Sequence, residues 1–204
     1  MLSKIAQWRP EHLANHQRLF PEGQFVAVEG PRIVGTSSTF ITRSDVGFAP
    51  HTFRQITARG TFADHDPSGD TLYGAEIMVH PDCRRRGIGS SLYAARFALA
   101  RRLGLRYFVA GGRLPGYASV RDEMSIDAYV RDVVEGKTSD RVLSAQLRSG
   151  LKVAGILKDY LDDPNSANYA TLLVWENPLR GPNKAGSAEP ETPAEPTSHA
   201  PVEA

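Results

Sequence analysis

A chain of 204 residues, 41 % hydrophobic and 23 % charged, is long enough for one domain with a buried core. Its formal net charge of +1 gives no global attraction to nucleic acid or to an anionic membrane, and its single cysteine, Cys83, excludes an internal disulfide framework and fits a reducing compartment. No apolar run approaches the ~20 residues of a membrane span, and the polar start MLSKIAQWRPEHL lacks the apolar centre of a secretory leader, so a cytoplasmic protein is expected.

The first predicted element is a helix from Trp8-Arg9-Pro10-Glu11 to about Leu19, with proline tolerated in its first turn and Phe20-Pro21-Glu22-Gly23 ending it. Gln24 to Val28 alternates as a strand, Glu29-Gly30-Pro31-Arg32 turns, and Ile33 to Thr42 returns as the hairpin partner. Asp45 to Asp70 reads as polar and irregular. It holds His65, Asp66 and Asp70, but their spacing is poor for a metal site and a hydrated loop is expected. Leu72 to His80 is rich in β-formers and stopped by Pro81. A helix begins near Ser90, with Leu92, Ala95, Leu99 and Leu103 on one face.

Arg106 to Ala110 reads as a short apolar strand and Gly111 to Tyr117 as a loop. Ser125 caps a helix through Val134 that Gly136 ends. Ser139-Asp140 opens another, with Val142, Leu143 and Leu147 on one face, closed by Gly150. Leu151 to Ile156 and Ala170 to Glu176 are the last two strands. From Gly181 onward, five prolines, four glutamates and one lysine mark a segment too apolar-poor to fold, so residues 181–204 are expected to be a disordered tail behind a domain at 1–180. The chain's +1 therefore divides into −3 for the tail and +4 for residues 1–180, a modest basic excess suited to an anionic ligand.

The stretch between the predicted strand and helix carries the clearest chemical signal. Arg84-Arg85-Arg86-Gly87-Ile88-Gly89 combines neutralising charge with two glycines that let a backbone approach an anion. The following helix adds unpaired N–H groups and the positive end of its dipole. There is no lysine-serine/threonine pair after the second glycine, as a P-loop needs, and no G-x-G-x-x-G. Three adjacent arginines are often only a solvated turn, but glycines and a helix start in this order favour a phosphate-bearing ligand.

Val79, Pro81, Arg84, Gly87 and Gly89 form V-x-P-x-x-R-x-x-G-x-G, which resembles the acyl-CoA pyrophosphate loop of the GNAT superfamily of N-acetyltransferases. The order of elements from about residue 9 to 178 matches such a domain, although its usual first strand is short or missing before Trp8. The segments GTFADHDPSGDTLYGAEIMVHP, VAGGRLPGY, DEMSIDAYV and ATLLVWENP look like the acetyltransferase domain that some bacteria carry in front of a carbon–nitrogen (nitrilase-like) hydrolase domain. Within these 204 residues no Glu-Lys-Cys hydrolase triad is expected.

The resemblance implies an α/β fold with a mixed, mostly antiparallel sheet and helices on both faces. It implies acetyl-CoA as co-substrate and an amine, small or on a protein, that attacks the thioester directly. Strand 72–80 would splay from strand 106–110, with pantetheine in the gap against the backbone of Met78, Val79 and His80. The pyrophosphate would rest on Arg84, Arg85, Arg86, Gly87, Ile88, Gly89 and Ser90. Glu76 is the first choice of general base, against a reading as a salt-bridged carboxylate on the sheet. His80 shares its side by the period of two. Tyr73 and Tyr117 are the candidate acids, against a reading as packed tyrosines. The family often places a tyrosine acid four residues before a late glycine; here that position is Gln146, which has no titratable proton. The long segment from Arg113 to Asp140 is expected to shape the acceptor pocket. A non-catalytic acyl-CoA-binding module that regulates or scaffolds a partner such as a separate hydrolase is the rival reading. No nucleic-acid or membrane partner and no metal are expected, and a homodimer is carried as an open alternative.

Overall fold

The structure is a computed structural model that describes residues 8–180; the 181–204 segment and any strand before Trp8 lie outside the described residues. Helix α1 (Pro10–Leu19) leads into a hairpin of β1 (Gln24–Glu29) and β2 (Arg32–Thr42) turned at Gly30, whose φ is +57°. Two short helices, α2 (Ser44–Phe48) and α3 (Phe53–Ile56), precede the long strand β3 (Thr71–Val79). Helix α4 (Ile88–Arg102) crosses to β4 (Tyr107–Arg113), followed by α5 (Ile126–Val134), α6 (Leu143–Arg148), β5 (Lys152–Leu157) and β6 (Ala170–Glu176).

The six strands form one sheet in the order β1-β2-β3-β4-β6-β5. Only β3 and β4 run parallel; every other neighbouring pair is antiparallel. Alternation on the central strands feeds two apolar layers. Leu72, Tyr93, Phe97, Phe108, Leu143 and Leu173 join one face of the sheet to α4, α5 and α6. Phe40, Ile56, Phe62, Tyr73, Val109 and Tyr160 fill the other face, beneath Trp8 and the segment between β2 and β3. Each such fully buried aromatic or aliphatic side chain contributes roughly 1.5–3 kcal/mol.

Several boundaries differ from the sequence expectation for definite reasons. The segment between Asp45 and Asp70 is not a hydrated loop: it forms two helices and buries Ile56 and Phe62. Its polar composition hid single apolar residues spaced too far apart to show a period. Gly111 and Gly112 were expected in a loop but lie within β4. A side chain at Gly111 would come within 2.2 Å of Tyr160, and one at Gly112 within 2.5 Å of Gln146, so these glycines permit close packing on a strand. Helix α4 begins at Ile88, two residues before Ser90, because Gly87 caps it in the left-handed conformation with φ +83°. Helix α6 begins at Leu143, where the Asp140 carboxylate accepts from the N–H groups of Val142 (2.8 Å) and Leu143 (3.0 Å).

Candidate functional site

Strands β3 and β4 pair only from Thr71–Tyr107 to Gly74–Ala110. Beyond that point β3 stays on β2 and β4 stays on β6, so the two strands part and leave a fork between them. The register of β2 on β3 slips where Ser38 faces Glu76 but Thr39 faces Gly74, which makes Ala75 the extra residue of a β-bulge. A bulge re-aims the residues after it. By strict alternation from Leu72, Glu76 would face α4. Instead it shares the side of Tyr73, where Trp8 Nε1 donates to it at 3.3 Å and Thr36 Oγ1 at 3.0 Å. Burial raises the Glu76 carboxyl above its ordinary value, and the Thr36 and Trp8 donors and the nearby Arg96 partly offset that rise.

Past the bulge the ladder is regular. The His80 N–H donates to Val34 O at 2.8 Å, and Met78 stands opposite Thr36 on the same neighbouring strand. Alternate residues in an antiparallel pair point their backbone groups to opposite edges, so Ile77 and Val79 present theirs to the fork. The sequence expectation of backbone contacts from Met78 to His80 is therefore corrected: Val79 belongs to the open edge, Ile77 joins it, and the His80 N–H is already taken. The His80 ring, half-exposed, lies against Arg32 at 3.0 Å and Asp82 at 3.6 Å, with no contact to Glu76.

The fork leads to the glycine loop. Gly87 and Gly89 have open space where a side chain would stand: nothing within 4 Å of Gly87, and only Val79 at 4.0 Å from Gly89. The Gly87 carbonyl accepts the Ser91 N–H at 3.0 Å. The N–H groups of Ile88, Gly89 and Ser90 precede that bond and form the unpaired first turn of a 15-residue helix. Arg84 and Arg85 are exposed and make no ion pair among the described residues, whereas Arg86 is paired with Glu29 of β1. Of the three arginines read as neutralising charge, two are unpaired among the described residues and one is held. An open glycine cradle, a helix N-terminus and two uncommitted guanidinium groups suit a pyrophosphate.

The candidate acids sit deeper. Tyr73 has no exposed surface, and its hydroxyl is 2.7 Å from His51 Nε2 and 3.1 Å from the Tyr160 hydroxyl. Tyr117 lies on the other face, with its ring on Tyr129 and Tyr169 and its hydroxyl 3.4 Å from Met124 O. The structure brings neither into contact with Glu76. His65 stacks on Phe20, and its Nδ1 accepts the Ile41 N–H at 3.0 Å; Asp66 and Asp70 accept from Ser68 and Ser44. Those three side chains are each committed to neighbours rather than to one another.

Two residues at the fork escaped the sequence reading. Arg96 is fully buried on α4, with Nε donating to Ser37 Oγ and Nη2 to the carbonyl of Glu76. Tyr93, one turn earlier, is joined by Gln146 Nε2 at 3.2 Å. The signal for Arg96 was present: it stands four residues after Leu92 and three before Leu99, on the buried stripe. A crevice of about 1040 Å³ lies at the far end of the sheet, lined by Phe20, Ile41, His65, Asp70 and Arg106, away from the fork. Among the described residues no helix is long and apolar enough to cross a membrane.

Comparison with known proteins places this geometry. The chain is 43 % identical over 171 residues to "Probable hydrolase YhcX" of Bacillus subtilis (strain 168), spanning 83 % of this chain but only 33 % of that protein. It is 37 % identical over 170 residues to "Uncharacterized N-acetyltransferase YkwB" of the same organism, covering 83 % of this chain and 75 % of the relative. The chain thus spans about a third of one curated relative and three quarters of the other. The solved structure of the GphF GNAT-like decarboxylase in complex with isobutyryl-CoA superposes with a TM-score of 0.68 at 24 % identity, over 81 % of this chain and 83 % of that one, and shows the same fold. With residues 2–121 matching the sequence profile described as the acetyltransferase (GNAT) family, the chain belongs to that family.

Proposed function

We propose that this protein transfers an acetyl group from acetyl-CoA to a primary amine by direct attack within a ternary complex. The observation that carries the reading is continuity. The open edge of β3 at Ile77 and Val79 runs straight into the glycine loop and the N-terminus of α4. A ligand with an anionic head and an amide-bearing arm fits such a path: backbone groups for the amides, and the helix N-terminus with Arg84 and Arg85 for the pyrophosphate. The thioester would supply an activated acyl carbon. Glu76, half-buried on the same strand and held by Trp8 and Thr36, would take the proton of the attacking amine. Free N–H groups along the β3 edge would stabilise the developing oxyanion.

The name of one relative, probable hydrolase, and its greater length support a hydrolase as the functional partner of this domain, in the same polypeptide or another. The test of the central reading is an acetyl-CoA consumption screen over an amine panel, with CoA release detected, beside calorimetry of acetyl-CoA binding to wild type and Gly87→Glu. Turnover of an amine, with binding abolished by Gly87→Glu, is the expected outcome. Tight binding without turnover of any amine would favour a non-catalytic acyl-CoA-binding module, a reading that Gln146 in place of a phenol supports. Equal binding by both proteins would remove the acyl-CoA site itself.

A further inference from the structure

Beneath the fork, on the α4 side, lies a buried polar group of three side chains that the base assignment does not use. The Tyr93 ring packs edge-on against Phe108, which belongs to the closed part of the β3–β4 ladder. Its hydroxyl meets the Gln146 amide at 3.2 Å, and the other end of that amide faces Gly112, two residues past the last paired position of β4. The hydroxyl is therefore held under the point where the strands separate. The Gln146 amide oxygen, which faces Gly112, is buried and has no hydrogen-bond partner among the described residues. Arg96, fully buried, holds its guanidinium 5.2 Å from the Tyr93 ring centre. Burial disfavours its charge, which its bonds to Ser37 Oγ and the Glu76 carbonyl and the nearby Glu76 carboxyl partly offset, and negative charge developing at the fork would offset it further.

We propose that the Tyr93 hydroxyl is the proton donor to the sulfur of the departing CoA, with Gln146 its positioning residue and Arg96 the cation that stabilises the phenolate left behind. This rests on the acyl-CoA reading above. In the step, the amine lone pair forms the C–N bond and its proton passes to the Glu76 carboxylate. The C–S bond breaks with its electron pair kept by sulfur, which takes the Tyr93 proton. Tyr93 then recovers a proton from water while Glu76 releases its own. Gln146 thus stands where the family often has a phenol because the phenol comes from α4.

The test is calorimetry of CoA and of desulfo-CoA, which lacks only the thiol, with wild type, Tyr93→Phe and Gln146→Leu. Wild type is expected to prefer CoA by about tenfold, the worth of one good hydrogen bond in a dry site. Tyr93→Phe should shrink the preference to within about twofold while leaving desulfo-CoA affinity unchanged, which a merely structural role would not do. Gln146→Leu, which releases the hydroxyl from its amide, should cut the preference several-fold and serves if Tyr93→Phe does not fold. A full preference retained by the variants, or none in wild type, would overturn the proposal alone. Failure of both ligands to bind wild type would overturn the acyl-CoA reading and this step with it.

Discussion

Trp8 and Glu76 stand 68 residues apart in sequence, yet the indole N–H of one donates to the carboxylate of the other at 3.3 Å. The contact is set by the bulge at Ala75, which turns Glu76 away from α4 and into the aromatic layer around Trp8, Phe53 and Phe62. Burial opposes the ionised form, so the folded pKa lies above the ordinary 4.5. The linkage follows: stability from the protonated carboxyl is complete below 4.5 and is lost as pH rises through the raised folded value.

Glu76→Gln is accordingly expected to slow turnover by ~10²–10⁴ while leaving CoA affinity constant. Its melting temperature should match wild type at pH 4 and exceed it at pH 7, where wild type carries the buried charge. Trp8→Phe removes a donor to the carboxylate and should move the acidic limb of the rate–pH profile upward. Full turnover by Glu76→Gln would show that water or another group takes the proton.

The arginines should divide into two classes. Arg84→Ala and Arg85→Ala are each expected to weaken CoA binding about three- to tenfold, with a shallower salt dependence. Arg86→Ala should cost less, since Glu29 already holds that guanidinium and the Arg86 hydrogen bond pulls the Glu29 carboxyl below its ordinary range. The sharper check is Glu29→Gln, which frees Arg86 and should tighten CoA binding about two- to threefold. Equal losses for all three arginines, measured by calorimetry at two salt concentrations, would rule out the division.

Much of this was legible in the sequence. Pro81, Gly87 and Gly89 each fix a backbone event, so the order of strand, loop and helix could be read from local chemistry. Ser125 and Gly136 likewise bounded α5, where the Ser125 hydroxyl accepts the Ala128 N–H at 3.2 Å. What sequence could not show was tertiary. The bulge at Ala75 depends on the register of β2, and no periodicity carries it. The glycines of β4 read as turn formers because the pressing groups, Tyr160 and Gln146, come from segments 34 or more residues away. Arg96 was passed over because a charge on a buried stripe contradicts the pattern used to find the stripe, and such conflicts gather at functional sites.

Acid should destabilise the fold through three histidines. Burial lowers the pKa of His16, His51 and His65 below the ordinary 6.5. His16 is stacked on Phe62 with centroids 3.6 Å apart and bonded to Gly60 O at 2.7 Å. Each contributes stability that is present above 6.5 and lost as pH falls through its depressed folded value. The melting temperature should therefore drop between pH 7 and pH 5, the raised carboxyl of Glu76 acting in the opposite direction. His16→Gln should be less stable than wild type at pH 7 and show a shallower drop. A flat profile from pH 7 to 5 would contradict the burial argument.

Asp140 ties the segment between β4 and α6 to the fork. One of its oxygens accepts from Val142 N and Leu143 N at the start of α6; the other accepts from Gly116 N at 2.9 Å and the Tyr129 hydroxyl at 3.0 Å. The carboxylate thus joins the turn after β4, helix α5 and the helix that carries Gln146. Asp140→Ala would strip four donors of their acceptor in a buried place, at a cost of about 3 kcal/mol or more, or roughly 6–12 °C in melting temperature for a domain of this size. Asp140→Asn keeps the shape and one acceptor, so it should recover about half of that loss. Because α6 positions the Gln146 amide on Tyr93, Asp140→Ala should also reduce the preference for CoA over desulfo-CoA, measured well below its melting point. An Asp140→Ala protein with wild-type melting would show that these four bonds are replaced by water, and that α6 needs no anchor at its first turn.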